Sequence, residues 1–127
     1  MGAQKTILVV DDASLVRLYY RSTLEQAGYR VEEALNGIEG LEKLLTMAVD
    51  LLIVDVNMPQ MDGPTFLSKL RGKEGPPASI PALITSTESG EHDFAAARAA
   101  GANFYLVKPI DRETLLEFAA MLCGVPQ

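Results

Sequence analysis

Five short segments rich in apolar residues recur along the chain, separated by longer amphipathic stretches. Residues 6–10, 51–54, 82–85 and 104–107 lack strict alternation of apolar and polar positions, which is typical of strands covered on both faces. Residues 29–34 carry Arg30, Glu32 and Glu33 and predict a more exposed strand near an edge of the sheet. The pattern therefore predicts five strands.

Between these segments apolar residues recur at helical spacing and predict five helices. The order of strand then helix, repeated five times, favours parallel strands, right-handed crossovers and helices on both faces of the sheet. The fold predicted is a doubly wound α/β domain. The helical apolar positions are Leu15, Leu18, Tyr19 and Leu24; Ile38, Leu41, Leu44, Leu45 and Ala48; Phe66, Leu67 and Leu70; Ala95, Ala96, Ala99 and Ala100; and Leu115, Phe118, Ala119 and Leu122.

Residues at the helix ends support these boundaries. Gly28 and Gly101 stand where a left-handed residue would end a helix, because glycine adopts that conformation without steric cost. Ser14 and Asp111 stand where a side-chain oxygen could accept a hydrogen bond from a free backbone amide at a helix start.

The length of 127 residues and the 48% apolar content suit one compact domain. We expect a single domain over residues 1–127, with no output domain after the fifth helix. The first apolar run, residues 7–10, is followed directly by Asp11 and Asp12. It is far shorter than the roughly 20 residues of a membrane span.

The net charge limits the classes of partner that the protein can bind, and the cysteine content indicates the compartment in which it folds. A net charge of −6 disfavours nucleic acids and anionic membranes, because binding either would bring like charges together. The single cysteine, Cys123, can form no internal disulfide or cysteine metal cluster, which favours a reducing compartment. We expect a cytoplasmic protein that binds neither nucleic acid nor membrane.

Charged residues follow three of the predicted strands where core packing does not require them. Asp11 and Asp12 follow the first strand, Asp55 the third, and Lys108 the fifth. Parallel strands bring their carboxyl ends to one edge of the sheet, and the ligand crevice of such sheets opens where the strand order reverses. The sequence therefore predicts one acidic pocket.

Neighbouring carboxylates repel one another, and a hard divalent cation among their oxygens lowers that cost. Mg²⁺ fits two or three acids, because it keeps several waters and often binds through one or two carboxylates plus a phosphate. One carboxylate could then attack a phosphoryl group to form an acyl phosphate. Lys108 would balance charge on the phosphoryl oxygens.

Four ordered motifs resemble the response-regulator receiver family. They are ILVVDD at 7–12, DVNMPQMDG at 55–63, TSTE at 85–88 and LVKP at 106–109, and the similarity covers nearly the whole chain. It is especially close to chemotaxis-type (CheY-like) single-domain members. The resemblance implies a flavodoxin-like sheet with strand order 2-1-3-4-5, an order that is a property of the family and not a deduction from the pattern.

The resemblance also implies roles for individual acids. Asp55 matches the phosphoacceptor, Asp12 a direct metal ligand and Asp11 an acid that holds metal-bound water. Asn57 would lend its backbone carbonyl to the metal.

Further positions match the parts of the family that respond to the phosphoryl group. Ser86 matches the switch hydroxyl, Lys108 the phosphate partner and Tyr105 the aromatic that turns inward. Thr85 and Thr87 flank Ser86, so the hydroxyl assignment stays open, with Ser86 favoured.

Three positions match those that tune dephosphorylation in the family: Asn57, Thr87 and Glu88. The residue at the position of Thr87 is usually small there, so its extra bulk could restrict access to the phosphoryl group.

The function implied is a switch in a two-component system, and not an enzyme apart from intrinsic autodephosphorylation. A histidine kinase would phosphorylate Asp55, and the surface of the fourth helix, fifth strand and fifth helix would bind a target, such as a flagellar motor component in chemotaxis or a phosphorelay protein.

Three alternatives stay open. The chain could serve a phosphorelay outside chemotaxis, or it could be an interaction module that is not switched. It could also be a Mg²⁺-dependent phosphohydrolase with an aspartyl-phosphate intermediate, although Asn57 stands where such an enzyme has its second carboxylate.

Overall fold

The computed structural model describes residues 4–126 as a five-stranded parallel sheet with helices on both faces. The strand order β2-β1-β3-β4-β5 confirms the predicted fold and the order that the resemblance implied. In the described part of the chain, no helix combines the length and apolar composition needed to cross a membrane. The elements are β1 (Thr6–Val10), α1 (Ser14–Gln26), β2 (Arg30–Ala34), α2 (Gly37–Leu44), β3 (Leu51–Asp55), α3 (Gly63–Arg71), a 3-10 helix (Pro76–Ser79), β4 (Ala82–Ser86), α4 (Glu91–Ala100), β5 (Phe104–Val107) and α5 (Arg112–Cys123).

The two faces of the sheet build two separate cores. Because successive strand residues point to opposite faces, Val10 and Val54 pack against α2, α3 and α4, whereas Val9 and Ile53 pack against α1 and α5. The three central strands are therefore buried throughout apart from the first residue of β1. This explains why their sequences show no alternation.

The edges of the sheet differ from the prediction in one respect. The exposed edge strand predicted at residues 29–34 is confirmed as β2. The prediction that β5 is covered on both faces is wrong, since it forms the opposite edge and leaves Phe104 42% and Val107 39% exposed. The apolar residues of β5 instead make partly exposed contacts. One of these joins Phe104 to Phe118, whose ring centroids are 5.2 Å apart.

Most of the predicted helix caps are confirmed. Gly101 ends α4 with φ of +107°, and Gly28 follows α1 with φ of +105°. Asp111 accepts a hydrogen bond from the Thr114 amide at 2.8 Å at the start of α5.

The predicted cap at Ser14 is wrong. Ser14 is the first helical residue of α1, and Ala13 is the cap residue, with no side-chain hydrogen bond to the helix. The Asp11 carboxylate reaches over this turn and accepts a hydrogen bond from the Ala13 amide at 2.9 Å. An acid at the end of β1 thus organises the turn that Ser14 was expected to cap.

Arg71, the last residue of α3, ties three segments together through backbone carbonyls. Its guanidinium donates to the Gly101 oxygen at 3.1 and 2.9 Å, to Ala78 at 3.0 Å and to Ile80 at 2.7 Å. The rigid fork of arginine suits such multiple acceptors. It holds the start of β4 and the end of α4 against α3.

We expect Arg71→Met to lower the free energy of unfolding by about 2–4 kcal/mol, because several carbonyls lose a charged donor. Urea denaturation would measure this. Lys69→Met, which removes an exposed charge from the same helix, should change stability by no more than about 0.5 kcal/mol. Equal losses in the two variants would show that the bonds of Arg71 contribute little.

Candidate functional site

The carboxyl edge of the sheet brings three acids together. Asp11 directly follows β1 and Asp55 ends β3, and these strands are neighbours with Val10 in register with Val54. One carboxylate oxygen from each of Asp11, Asp12 and Asp55 lies within 4.8 Å of the other two. Asp11 is 1% and Asp55 7% exposed, whereas Asp12 faces solvent. The acids form a cluster that is open on one side.

Lys108 supplies positive charge to this cluster from the end of β5. Its Nζ lies 2.8 Å from Asp55 Oδ1 and 3.0 Å from Asp11 Oδ2. The side chain is 16% exposed. One ammonium group is therefore shared between two buried carboxylates.

Three carboxylates face one lysine ammonium, so this single cation does not neutralise the cluster. Burial raises the pKa of Asp55, and the hydrogen bond from Lys108 offsets this only in part because the charges of Asp11 and Asp12 add to the rise. Burial also acts to lower the pKa of Lys108, but its bonds to the two acids outweigh burial and raise it. Lys108 stays charged, and the acids keep a surplus of negative charge.

The donor set fits a magnesium ion. Three carboxylate oxygens within 4.8 Å of one another are hard ligands of the kind that Mg²⁺ prefers, and the exposed side at Asp12 leaves room for water and phosphate oxygens.

The loop after β3 folds back over the end of that strand because Gly63 has no side chain. A Cβ at this position would collide with the Asp55 carbonyl oxygen. The Gly63 amide donates to the Val56 carbonyl at 2.9 Å. Asn57 lies in this loop, two residues after Asp55, with an exposed side chain.

Ser86 and Tyr105 both form hydrogen bonds with the backbone of the loop between β4 and α4. Ser86 is fully buried, and its Oγ accepts a hydrogen bond from the Glu88 amide at 3.0 Å. The Tyr105 hydroxyl donates to the Glu88 carbonyl at 2.9 Å. The Tyr105 ring packs edge-on against that of Phe94, with 4.7 Å between the ring centroids. Both side chains thus hold the backbone of Glu88.

The two threonines beside Ser86 lie in different surroundings. Thr85 is fully buried and is the register partner of Asp55. Thr87 is exposed and lines, with Lys108, a largely apolar cavity of about 500 Å³ between α1 and the segment after β5.

Two residues near the site were missed by the sequence reasoning. Tyr20 of α1 is 2% exposed, and burial raises the pKa of its phenol to about 12. No local pattern distinguishes it from an ordinary core aromatic residue of a helix. Arg17 of α1 donates to the Asp11 carbonyl at 2.7 Å, and no local pattern distinguishes it from a surface arginine.

Comparison with known proteins identifies the family. Residues 7–120 match the model of the response regulator receiver domain. The chain belongs to this receiver family. Members of the family are signalling switches, generally not classed as enzymes, that bind Mg²⁺ in the acidic site, take phosphoryl groups from histidine kinases and act on downstream targets.

Individual relatives cover almost the whole receiver domain. It is 38% identical to chemotaxis protein CheY1 of Helicobacter pylori over 120 residues, which are 93% of this chain and 96% of the relative. The structure of chemotaxis protein CheY4 of Vibrio cholerae is similar with a TM-score of 0.89 and 36% identity, covering 94% of this chain and 99% of that one.

A second similar structure is the receiver domain of a sensor histidine kinase of Pseudomonas aeruginosa, with a magnesium ion coordinated in its active-site cleft. Its TM-score is 0.87 at 25% identity, covering 96% of this chain and 99% of that one.

We expect Asp55→Asn to raise the melting temperature of the receiver domain without Mg²⁺ by about 3 °C. The substitution removes a buried carboxylate whose raised pKa indicates that its ionisation opposes folding. The gain should be present at neutral pH and vanish at acidic pH. Below the ordinary aspartate pKa of 3.8 the folded and unfolded states both hold the proton, so ionisation of Asp55 no longer opposes folding.

Thermal denaturation followed by circular dichroism would measure the shift. Asp111→Asn is the matched control, because Asp111 is an exposed helix cap with a lowered pKa and asparagine caps helices equally well. A lower melting temperature for Asp55→Asn at neutral pH would contradict the surplus of negative charge.

Proposed function

We propose that this receiver domain, as a single domain over residues 1–127, is a switch in which Asp55 accepts a phosphoryl group from the phosphohistidine of a histidine kinase. The observation that carries the proposal is the cluster of Asp11, Asp12 and Asp55 with Lys108 in contact with two of its members. A nucleophilic carboxylate, a metal-binding set and a cation for phosphoryl oxygens are the groups that such a transfer requires.

Asp55 is the nucleophile in this proposal. One of its oxygens attacks phosphorus, the bond from phosphorus to the histidine nitrogen breaks, and the electron pair of that bond returns to the imidazole. Asp12, Asp55, the Asn57 backbone carbonyl and, through water, Asp11 would hold Mg²⁺, which would supply positive charge for the phosphoryl oxygens. Lys108, already 2.8 Å from Asp55, pairs with one of those oxygens.

The geometry around Glu88 supports a route by which the phosphoryl group changes the surface. The Ser86 hydroxyl would donate a hydrogen bond to a phosphoryl oxygen and would no longer accept one from the Glu88 amide. Because Tyr105 is bound to the carbonyl of the same residue, a moved loop would release Tyr105 to turn inward. The surface of α4, β5 and α5 would then repack and bind the target.

The similarity to two chemotaxis proteins supports chemotaxis as the pathway. Within that pathway we propose a flagellar motor component as the target and the cytoplasm as the location. A phosphorelay protein is the alternative target. Hydrolysis of the acyl phosphate would end the signal. Asn57, Thr87 and Glu88, all exposed near the site, would set its rate by controlling water.

We expect acetyl phosphate with Mg²⁺ to add one phosphoryl group to the protein, and we expect Asp55→Asn to abolish the addition. Intact-protein mass spectrometry would measure it. Omission of Mg²⁺ should slow the reaction at least about 100-fold, because metal coordination offsets several kcal/mol of charge in the transition state. Unchanged labelling of Asp55→Asn would overturn the assignment of the acceptor.

The three hydroxyls can be separated by a second experiment. Ser86→Ala should still be phosphorylated but should lose the change in tyrosine fluorescence that follows phosphorylation, because Tyr105 no longer receives the signal. Thr85→Val and Thr87→Ala should keep that change. The chain contains no tryptophan, so tyrosine emission is observable directly. Loss of the response in Thr87→Ala with a normal response in Ser86→Ala would transfer the switch role to Thr87.

A further inference from the structure

Arg17 connects the exposed edge of the sheet to the metal-binding segment. One guanidinium nitrogen donates to the Asp11 backbone carbonyl at 2.7 Å, and Nε donates to Glu33 Oε1 at 2.8 Å. Only 11% of the arginine side chain is exposed. A planar fork therefore spans from β2 to the residue that follows β1.

Glu33 is itself held in place. Its second carboxylate oxygen accepts a hydrogen bond from Arg21, and its backbone carbonyl accepts one from Lys43. Burial acts to raise the pKa of Glu33, but the bonds from Arg21 and Arg17 outweigh burial and lower it. The anchor for Arg17 thus stays ionised and fixed at neutral pH.

The carbonyl that Arg17 binds belongs to the peptide between Asp11 and Asp12. Because a peptide unit is planar, holding this oxygen orients the backbone leading into Asp12. The other groups of Asp11 are also occupied: its amide donates to the Ala34 carbonyl at 3.1 Å, and its carboxylate contacts Ala13 and Lys108. Asp12, in contrast, has an exposed side chain and depends on its backbone for direction.

We propose that Arg17, anchored by Glu33, is a positioning residue that aims the Asp11–Asp12 peptide so that both carboxylates face a magnesium ion. This inference rests on the proposed function of the site. Its effect opposes that of simple charge, because a cation beside the acids repels Mg²⁺. The sign of a mutational effect therefore separates positioning from electrostatics.

The test is the Mg²⁺ affinity of the unphosphorylated protein, measured by isothermal titration calorimetry. Arg17→Gln should weaken binding about 10-fold, as loss of groups that orient metal ligands commonly does. Arg30→Gln is the matched control, because Arg30 lies on the same edge strand but pairs with Glu32 instead of holding Glu33 or Asp11. It should bind Mg²⁺ within about twofold of the unmodified protein.

Arg17→Lys keeps the charge but offers one nitrogen where the fork uses two, so its affinity should fall between those of Arg17→Gln and the unmodified protein. It also tests the proposal if Arg17→Gln does not fold, as judged by circular dichroism. Full affinity in Arg17→Lys would overturn the role of the fork.

The remaining outcomes separate the two proposals. Mg²⁺ binding that is equal or tighter in Arg17→Gln overturns the positioning role alone, and leaves Asp55 phosphorylation standing. Absence of Mg²⁺ binding by the unmodified protein overturns the positioning role together with the proposed function.

Discussion

Repulsion among buried acids at the carboxyl edge of the sheet is the interaction on which the rest of the site depends. Asp11 and Asp55 are almost fully buried, and Lys108 is the cation that contacts both. Burial raises the pKa of Asp55 despite the hydrogen bond from Lys108, and three carboxylates face that one ammonium group. The site therefore favours added positive charge, and a phosphoryl group that arrives with Mg²⁺ can enter where an anion alone would be repelled.

The rigid doubly wound sheet holds the acids in place against their mutual repulsion. β1 and β3 are neighbours at the point where the strand order reverses, so the segments after them diverge and leave an open crevice. The apolar strands beneath pack on both faces and fix the height of each acid. Gly63 lets the following loop lie directly on the Asp55 carbonyl, and Arg17 holds the Asp11 carbonyl from the side.

The backbone of Glu88 joins the buried site to the protein surface. Ser86 accepts a hydrogen bond from its amide, and Tyr105 donates one to its carbonyl. One residue's backbone is therefore bonded both to a buried hydroxyl and to a half-buried tyrosine. Such an element can have two arrangements, and a phosphoryl group shifts their populations only by binding one more tightly. Tyr105 packs on Phe94 of α4, which links the loop to the surface proposed to bind the target.

Apolar periodicity and the acids at the strand ends predicted the five strands, the five helices, the fold class and the meeting of the acids with Lys108, because these are local features that parallel strands align. The sequence did not predict the exposure of β5, the burial of Tyr20 or the partners of Arg17, and it placed at Ser14 a helix cap that the structure has at Ala13. Those features depend on which side chains meet across the sheet: Arg17 contacts Glu33 only because β2 pairs with β1. Only the tertiary structure decides such contacts, since nothing in the local spacing of residues encodes them.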